Sequence, residues 1–145
     1  MYYMTLFNIV LITLVVTLHF ATLTYLSNHL YKLKISARHQ ILVSFFVLLF
    51  IHSVEIWLFA FGFYLLIHPD VLELGQLVGD TTQNLLLDCS YFSFTTYTTV
   101  GIGDIRPTGD LRFLAAMESL TGFLLITWSA SYIFLEMQRH WSKKI

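Results

Sequence analysis

Three long apolar stretches separated by polar intervals of unequal length dominate the chain. Met4 to Leu26 is apolar apart from threonines, Asn8 and His19; Ile41 to Ile67 is the second stretch and Phe113 to Leu135 the third. A helix needs roughly 20 apolar residues to cross about 30 Å of hydrocarbon, so each stretch predicts a transmembrane helix. Tyr2, Tyr3, Trp57, Tyr64, Tyr132 and Trp141 fall near several of the ends, where interfacial aromatics collect. The first stretch is longer than the ~7–15-residue apolar core of a signal peptide and lacks a basic start, which favours a retained helix. Between the second and third stretches, residues 84–97 are too few and too polar to cross. They suffice for a short helix that dips partway in and returns. Broken backbone at that depth requires protein or a water-filled cavity around it.

Composition agrees. Hydrophobic residues make up 57% and charged residues 12% of the 145, against about 25% charged in soluble domains. The expectation is an all-α membrane protein forming a single membrane domain over 1–145, with no separate ligand-sensing module. A net charge of −1 argues against nucleic acid as a partner. The lone Cys89 excludes an intrachain disulfide and reads as a small buried hydrophobe. Charge placement sets an orientation. Lys32, Lys34 and Arg38 lie between the first two stretches, and Arg139, Lys143 and Lys144 follow the third. The segment between the second and third holds only Arg106 and Arg112, against Asp70, Glu73, Asp80, Asp88, Asp104 and Asp110. The positive-inside rule then puts the first loop and the C-terminus in the cytoplasm and the N-terminus outside, in the plasma membrane.

The most specific chemistry is the run Thr98-Thr99-Val100-Gly101-Ile102-Gly103-Asp104. A single-file cation path needs backbone carbonyls turned to a common axis, in place of the water around a dehydrated ion. Successive L-residues in ordinary strand conformation cannot supply that. Alternating glycines can, because they adopt φ > 0 without a Cβ clash. Val100 and Ile102 then turn into the wall, and the Thr99 hydroxyl adds a ligand at the inner end. A phosphate-binding loop would want a Lys after its glycines and a strand before them, and neither is present.

This run resembles the selectivity filter of potassium channels, commonly Thr-Val-Gly-Tyr-Gly-Asp. It matches at Thr99, Val100, Gly101, Gly103 and Asp104 and departs at Ile102, where an aromatic residue is commoner. The resemblance covers roughly Ile41 to Gln138. It implies an outer helix at 41–67, a pore helix at 84–97, a filter at 98–104 and an inner helix at 111–139, with an extra N-terminal helix at 4–26. It implies K⁺ at the carbonyls of Thr99, Val100, Gly101 and Ile102. It also implies a filter mouth facing outward, in agreement with the charge bias. One filter segment cannot close a ring, so a homotetramer around a shared pore is expected, with itself, lipid and K⁺ as partners.

Further roles follow from the resemblance. Several family members carry a Glu four residues before the first filter Thr, paired with the filter Asp. Thr95 is the residue three places before Thr98 and four before the matched Thr99, so Asp104 needs another partner, and the Tyr91 hydroxyl is the candidate. Tyr91, Phe92, Phe94 and Tyr97 form an aromatic cuff around the filter or pack as ordinary core. Gly122 stands where the family often has a bending glycine; close helix packing explains it equally well. Ile126, Ala130 and Phe134 share one helix face, which lines the cavity and a hydrophobic gate or else meets lipid. The extra helix lacks regularly spaced Arg or Lys, so it reads as a lipid-facing brace against the outer helix, with a regulatory docking surface as the alternative, rather than as a voltage sensor.

Ionisable residues inside the apolar stretches are costly and call for partners. His52 and Glu55 stand one turn apart on the second stretch and can hydrogen-bond locally, and Glu118, in the third, is placed to reach the back of the pore helix or filter. Bracing of the filter is the main expectation, with a proton-sensing gate and a metal site as alternatives. His19 reads as a buried, hydrogen-bonded residue rather than a ligand. No catalytic constellation accompanies these groups, so neither enzyme activity nor a cofactor is expected. The function expected is passive, selective K⁺ conduction. Its rivals are a weakly selective cation channel, a metal-binding or redox protein built on His52, Glu55 and Glu118, and a non-conducting regulatory subunit.

Overall fold

The computed structural model describes residues 2–30, 36–68 and 74–141. Lys32, Lys34, Asp70, Glu73, Lys143 and Lys144, which carry part of the charge asymmetry, lie outside the described residues. In chain order the elements are α1 (Tyr2–His29), α2 (Ala37–Ile67), β1 (Leu77–Gly79), α3 (Leu85–Tyr97), β2 (Ile105–Pro107) and α4 (Leu111–Trp141). At 28, 31 and 31 residues, α1, α2 and α4 are long and apolar enough to cross a membrane. The 13 residues of α3 rise only about 20 Å and cannot.

The long helices are apolar on all sides, so burial inside the chain follows register rather than amphipathicity. On α1 the buried stripe is Met4, Asn8, Leu11, Val15, His19, Leu23 and Leu26. Its spacing of three and four residues marks one helix face. Two of those seven are polar, whereas Leu6, Ile9, Val10 and Leu14 are exposed. The helix turns Asn8 and His19 inward, while exposed threonines such as Thr13 and Thr24 bond to their own backbone four residues back.

Contacts fix the directions of the helices. Near the start of α1, Phe7 and Leu11 crowd Gly62 close to the end of α2. Towards the other end, Leu23 and Leu26 cluster with Leu48 and Ile51. The two helices are therefore antiparallel. His19 and Phe20 meet Ser129 and Trp128, while Met4 and Asp110 border one cavity, so α1 and α4 run in the same direction. The main core gathers Phe59 and Phe63 of α2, Phe92 and Tyr97 of α3, and Leu111, Leu114 and Leu125 of α4.

The short α3 packs against both α2 and α4. Its Phe92 ring stands edge-on to Phe63, with centroids 5.1 Å apart. Asn84 caps its start by accepting from the Leu87 N–H at 3.3 Å. Asp88 in the first turn accepts from the Thr82 N–H at 2.9 Å, a favourable place for a carboxylate at a helix N-terminus. Its last residue, Tyr97, lies beside His52 and Glu55, which are midway along α2. The helix thus enters from one side and stops at mid-depth.

Flanking α3 and the loop after it, β1 and β2 pair antiparallel, with Leu77 opposite Pro107, Val78 opposite Arg106 and Gly79 opposite Ile105. Asp80 N–H extends the pairing to the Asp104 carbonyl at 3.1 Å. Gly79 has φ 135°, and a Cβ there would lie 1.9 Å from the Asp104 carbonyl oxygen. Only glycine fits. This ribbon is absent from the expectations drawn above.

Candidate functional site

Beyond α3 the chain leaves helical geometry within two residues. Thr98 caps the helix by donating to the Phe94 carbonyl, and Thr99 N–H turns back to the Thr96 carbonyl at 3.0 Å. Left-handed backbone then recurs at every second residue: Thr99 at φ 60°, Gly101 at 54° and Gly103 at 86°. Gly101 N–H donates to the Thr95 carbonyl at 3.0 Å, folding the loop against the helix that delivers it. Glycine occupies two of these conformations without penalty. Thr99, being β-branched, does not, and holding it there costs about 1–3 kcal/mol. Alternation was readable from the glycines, but its extension to Thr99 was not.

Between the left-handed positions, Val100 and Ile102 are 66% and 61% exposed within the chain. Among the described residues, none covers them. A Cβ at Gly101 would meet nothing within 4 Å, so its glycine answers a conformational demand rather than crowding.

At the end of the loop, the Tyr91 hydroxyl donates to Asp104 Oδ2 at 2.6 Å, and Ile105 N–H donates to Oδ1 at 2.9 Å. The Tyr91 hydroxyl, helped by main-chain donors, holds the Asp104 carboxyl below the usual carboxylate range, and the same bond raises the Tyr91 hydroxyl. Thr95 touches Asp104 through neither atom. Its hydroxyl donates to Phe92 O at 2.9 Å, and its carbonyl serves Gly101. The four aromatics divide: Tyr91 and Phe94 are partly exposed, whereas Phe92 and Tyr97 are buried in the core against α2.

Gly122 on α4 sits against the last residue of α3. A Cβ there would stand 2.2 Å from the Tyr97 carbonyl oxygen and 2.9 Å from its ring. Close packing accounts for this glycine. Farther along α4, Ile126, Ala130 and Phe134 are all exposed within the chain and share a face.

The buried ionisable residues fall into two groups. Glu118, fully buried, contacts the Ser93 hydroxyl through Oε1, and Ser93 also lies 2.8 Å from the Ile56 carbonyl oxygen. Glu118 thereby joins α4 to α3 and α2, apart from His52 and Glu55. The third member of their cluster is His19 of α1. Glu55 Oε1 lies 2.9 Å from His19 Nδ1, and Oε2 lies 3.0 Å from His52 Nδ1. The far nitrogens converge on one hydroxyl: Ser129 Oγ is 3.0 Å from His52 Nε2 and 3.3 Å from His19 Nε2. Glu55, His19, Ser129 and His52 form a closed ring of contacts across three helices. The fourth helix joins through Tyr97, whose hydroxyl donates to Glu55 Oε2 at 2.5 Å. His19 and Glu55 are wholly buried, and the His52 side chain keeps 16% exposure. Trp128 lies against His19, with ring centroids 5.7 Å apart.

Sequence reasoning placed His19 as buried but had no means of pairing it. Its position on the same face as Asn8, eleven residues and about three turns earlier, marks it as inward-facing. Tyr97 carried no signal separating it from ordinary core.

A protein-family model described as "Ion channel" matches residues 41–139, from the start of α2 through most of α4. No curated protein and no solved structure matches the chain.

Proposed function

Since the chain belongs to the ion channel family, we propose that it conducts K⁺ selectively and passively as a homotetramer, with residues 98–104 of each copy forming the filter. The observation that carries this reading is the alternating left-handed backbone at Thr99, Gly101 and Gly103, set directly beyond a helix that ends at mid-depth. Left- and right-handed residues in alternation turn successive carbonyls to one side. Four such segments about an axis supply stacked oxygen rings from Thr99 to Ile102.

The unburied Val100 and Ile102 support assembly. Each is a large apolar side chain that a neighbouring copy would cover, closing the wall behind the carbonyls. In this reading a hydrated ion enters the cavity, sheds water at Thr99 and passes outward by repulsion between successive ions. The carbonyl end of α3 carries partial negative charge and favours a cation below the filter. Tyr91 anchors Asp104 at the outer mouth. Ile126, Ala130 and Phe134 line the route below, where four Phe134 rings constrict it by dewetting. The positive-inside bias places the C-terminus in the cytoplasm and the filter mouth outside, in a plasma membrane. The family is one of channels rather than enzymes, and the ion is cargo.

The test is reconstitution of the purified chain alone in liposomes, with reversal potentials measured under opposed K⁺ and Na⁺ gradients. Selective conduction predicts a potential that follows the K⁺ gradient. A potential that follows both ions equally replaces the proposal with weakly selective conduction. Absence of flux replaces it with a non-conducting subunit.

A further inference from the structure

We propose that His19, His52 and Glu55 bind a first-row divalent transition-metal ion such as Zn²⁺ or Fe²⁺ inside the membrane, tying α1 to α2 at the foot of the pore helix.

Donor atoms from the three residues lie within 4.8 Å of one another. Two imidazoles and one carboxylate are a ligand set used by zinc and by non-haem iron. Bonds of about 2.0–2.1 Å in a tetrahedral site put neighbouring ligand atoms about 3.3 Å apart. One Glu55 oxygen stands 2.9 Å from His19 Nδ1 and the other 3.0 Å from His52 Nδ1, so a modest rearrangement of the three side chains brings their donor atoms around one ion. The Tyr97 oxygen, 3.0 Å from His52 Nδ1, stands where a fourth ligand or its hydrogen-bond partner is needed.

The outer contacts call for one added positive charge in the ring. With both imidazoles neutral and giving their Nδ1 hydrogens to an ionised Glu55, both Nε2 atoms need a hydrogen from Ser129, which has one. A single proton shared in the ring or a bound metal each resolves this. With a metal, the Nδ1 lone pairs turn to the ion and both Nε2–H groups donate into the two lone pairs of Ser129 Oγ. Metal-ligating histidines use their second nitrogen in this way, and the partner fixes ring orientation. The 16% exposure of His52 gives the cluster its opening, since His19 and Glu55 have none.

The matched family region begins at residue 41, so one ligand comes from a helix outside it. The metal would make α1 part of the pore's frame. The site stands or falls independently of K⁺ selectivity.

The full-length chain, purified in detergent and stripped with a chelator, is dialysed against Zn²⁺ or Co²⁺ over hours to days, because access is narrow. One ion per chain is expected, with the intense visible absorption of four-coordinate Co²⁺ and a raised melting temperature. His19→Ala and Glu55→Gln should abolish stoichiometric binding, and Ser129→Ala should weaken it about 10–100-fold. Replacing His29, His39 and His68 together should change nothing. Circular dichroism confirms that each variant folds; if His19→Ala does not, Glu55→Gln alone decides. No stoichiometric uptake by folded wild-type protein overturns the proposal and leaves a proton as the ring's extra charge. Undiminished uptake by folded Glu55→Gln overturns it equally.

Discussion

Gly122→Ala separates two explanations of one glycine by the sign of a single number. If Gly122 served only to let α4 bend, alanine would stiffen the helix and stabilise it by about 1 kcal/mol. The geometry predicts the reverse. The added methyl would sit 2.2 Å from the Tyr97 carbonyl oxygen and 2.9 Å from its carbonyl carbon, about 1 Å inside ordinary van der Waals contact. The obstacle is backbone at the end of α3, pinned by the Tyr97 hydroxyl on Glu55 at 2.5 Å and by the packing of its ring. Overpacking of a pinned site costs about 1–3 kcal/mol, which exceeds or cancels the helix-propensity gain. We expect Gly122→Ala to lower the stability of the folded protein by up to about 2 kcal/mol. The same displacement moves the carbonyl preceding Thr98 and should reduce K⁺ flux. Thermal or denaturant melts in detergent, read by circular dichroism beside the flux assay, measure both. A variant more stable than wild type with unchanged flux would refute the packing argument and reinstate the hinge.

Other perturbations follow from the same contacts. Tyr91→Phe removes the first donor to Asp104, so the Asp104 carboxyl should titrate closer to the ordinary value near 4. Because that carboxyl is depressed in the folded protein, the anchor is complete above the ordinary carboxylate range and fails as pH falls through the depressed value. An external pH titration of K⁺ current should therefore lose conduction at higher pH in Tyr91→Phe, and identical midpoints would refute the anchor. Gly101→Ala and Gly103→Ala force left-handed backbone on alanine, costing roughly 1–2 kcal/mol per copy. Both should abolish K⁺ permeation in liposomes, and full permeation by either would count against the filter geometry. Burial, reinforced by the neighbouring Asp88, pushes the Cys89 thiol up to about 12. A maleimide at pH 8 should leave it unlabelled until the protein is unfolded, and fast labelling of folded protein would contradict the packing of α3.

What was legible in the sequence depended on whether the signal was local. Three apolar runs announced three helices, since the lipid that selects them acts on each residue in turn. Gly101 and Gly103 announced left-handed backbone because glycine permits it, but Thr99 in the same conformation has no residue-type signature. Only its surroundings hold it there. The β ribbon escaped notice for a related reason. Strands of three residues ending in Gly79 and Pro107 show no alternation, and their pairing bridges the whole of α3. The buried polar centre was half visible. His52 and Glu55 share a helix turn, so their pairing was readable, whereas His19 reaches them across 36 residues and Ser129 across 77. Which helices pack side by side decides that union. Glu118 reaches Ser93 on the back of the short helix, as expected from its place in the third stretch, and does not join His52 and Glu55.

Gly79 pressed against the Asp104 carbonyl makes the outer ribbon a lever. Through this contact and the Asp80 N–H bond, residues 77–80 are tied to Asp104, which in the proposed assembly stands at the filter's exit. In the proposed orientation, an antibody or peptide gripping that strand from outside would alter conduction without approaching the ions' path.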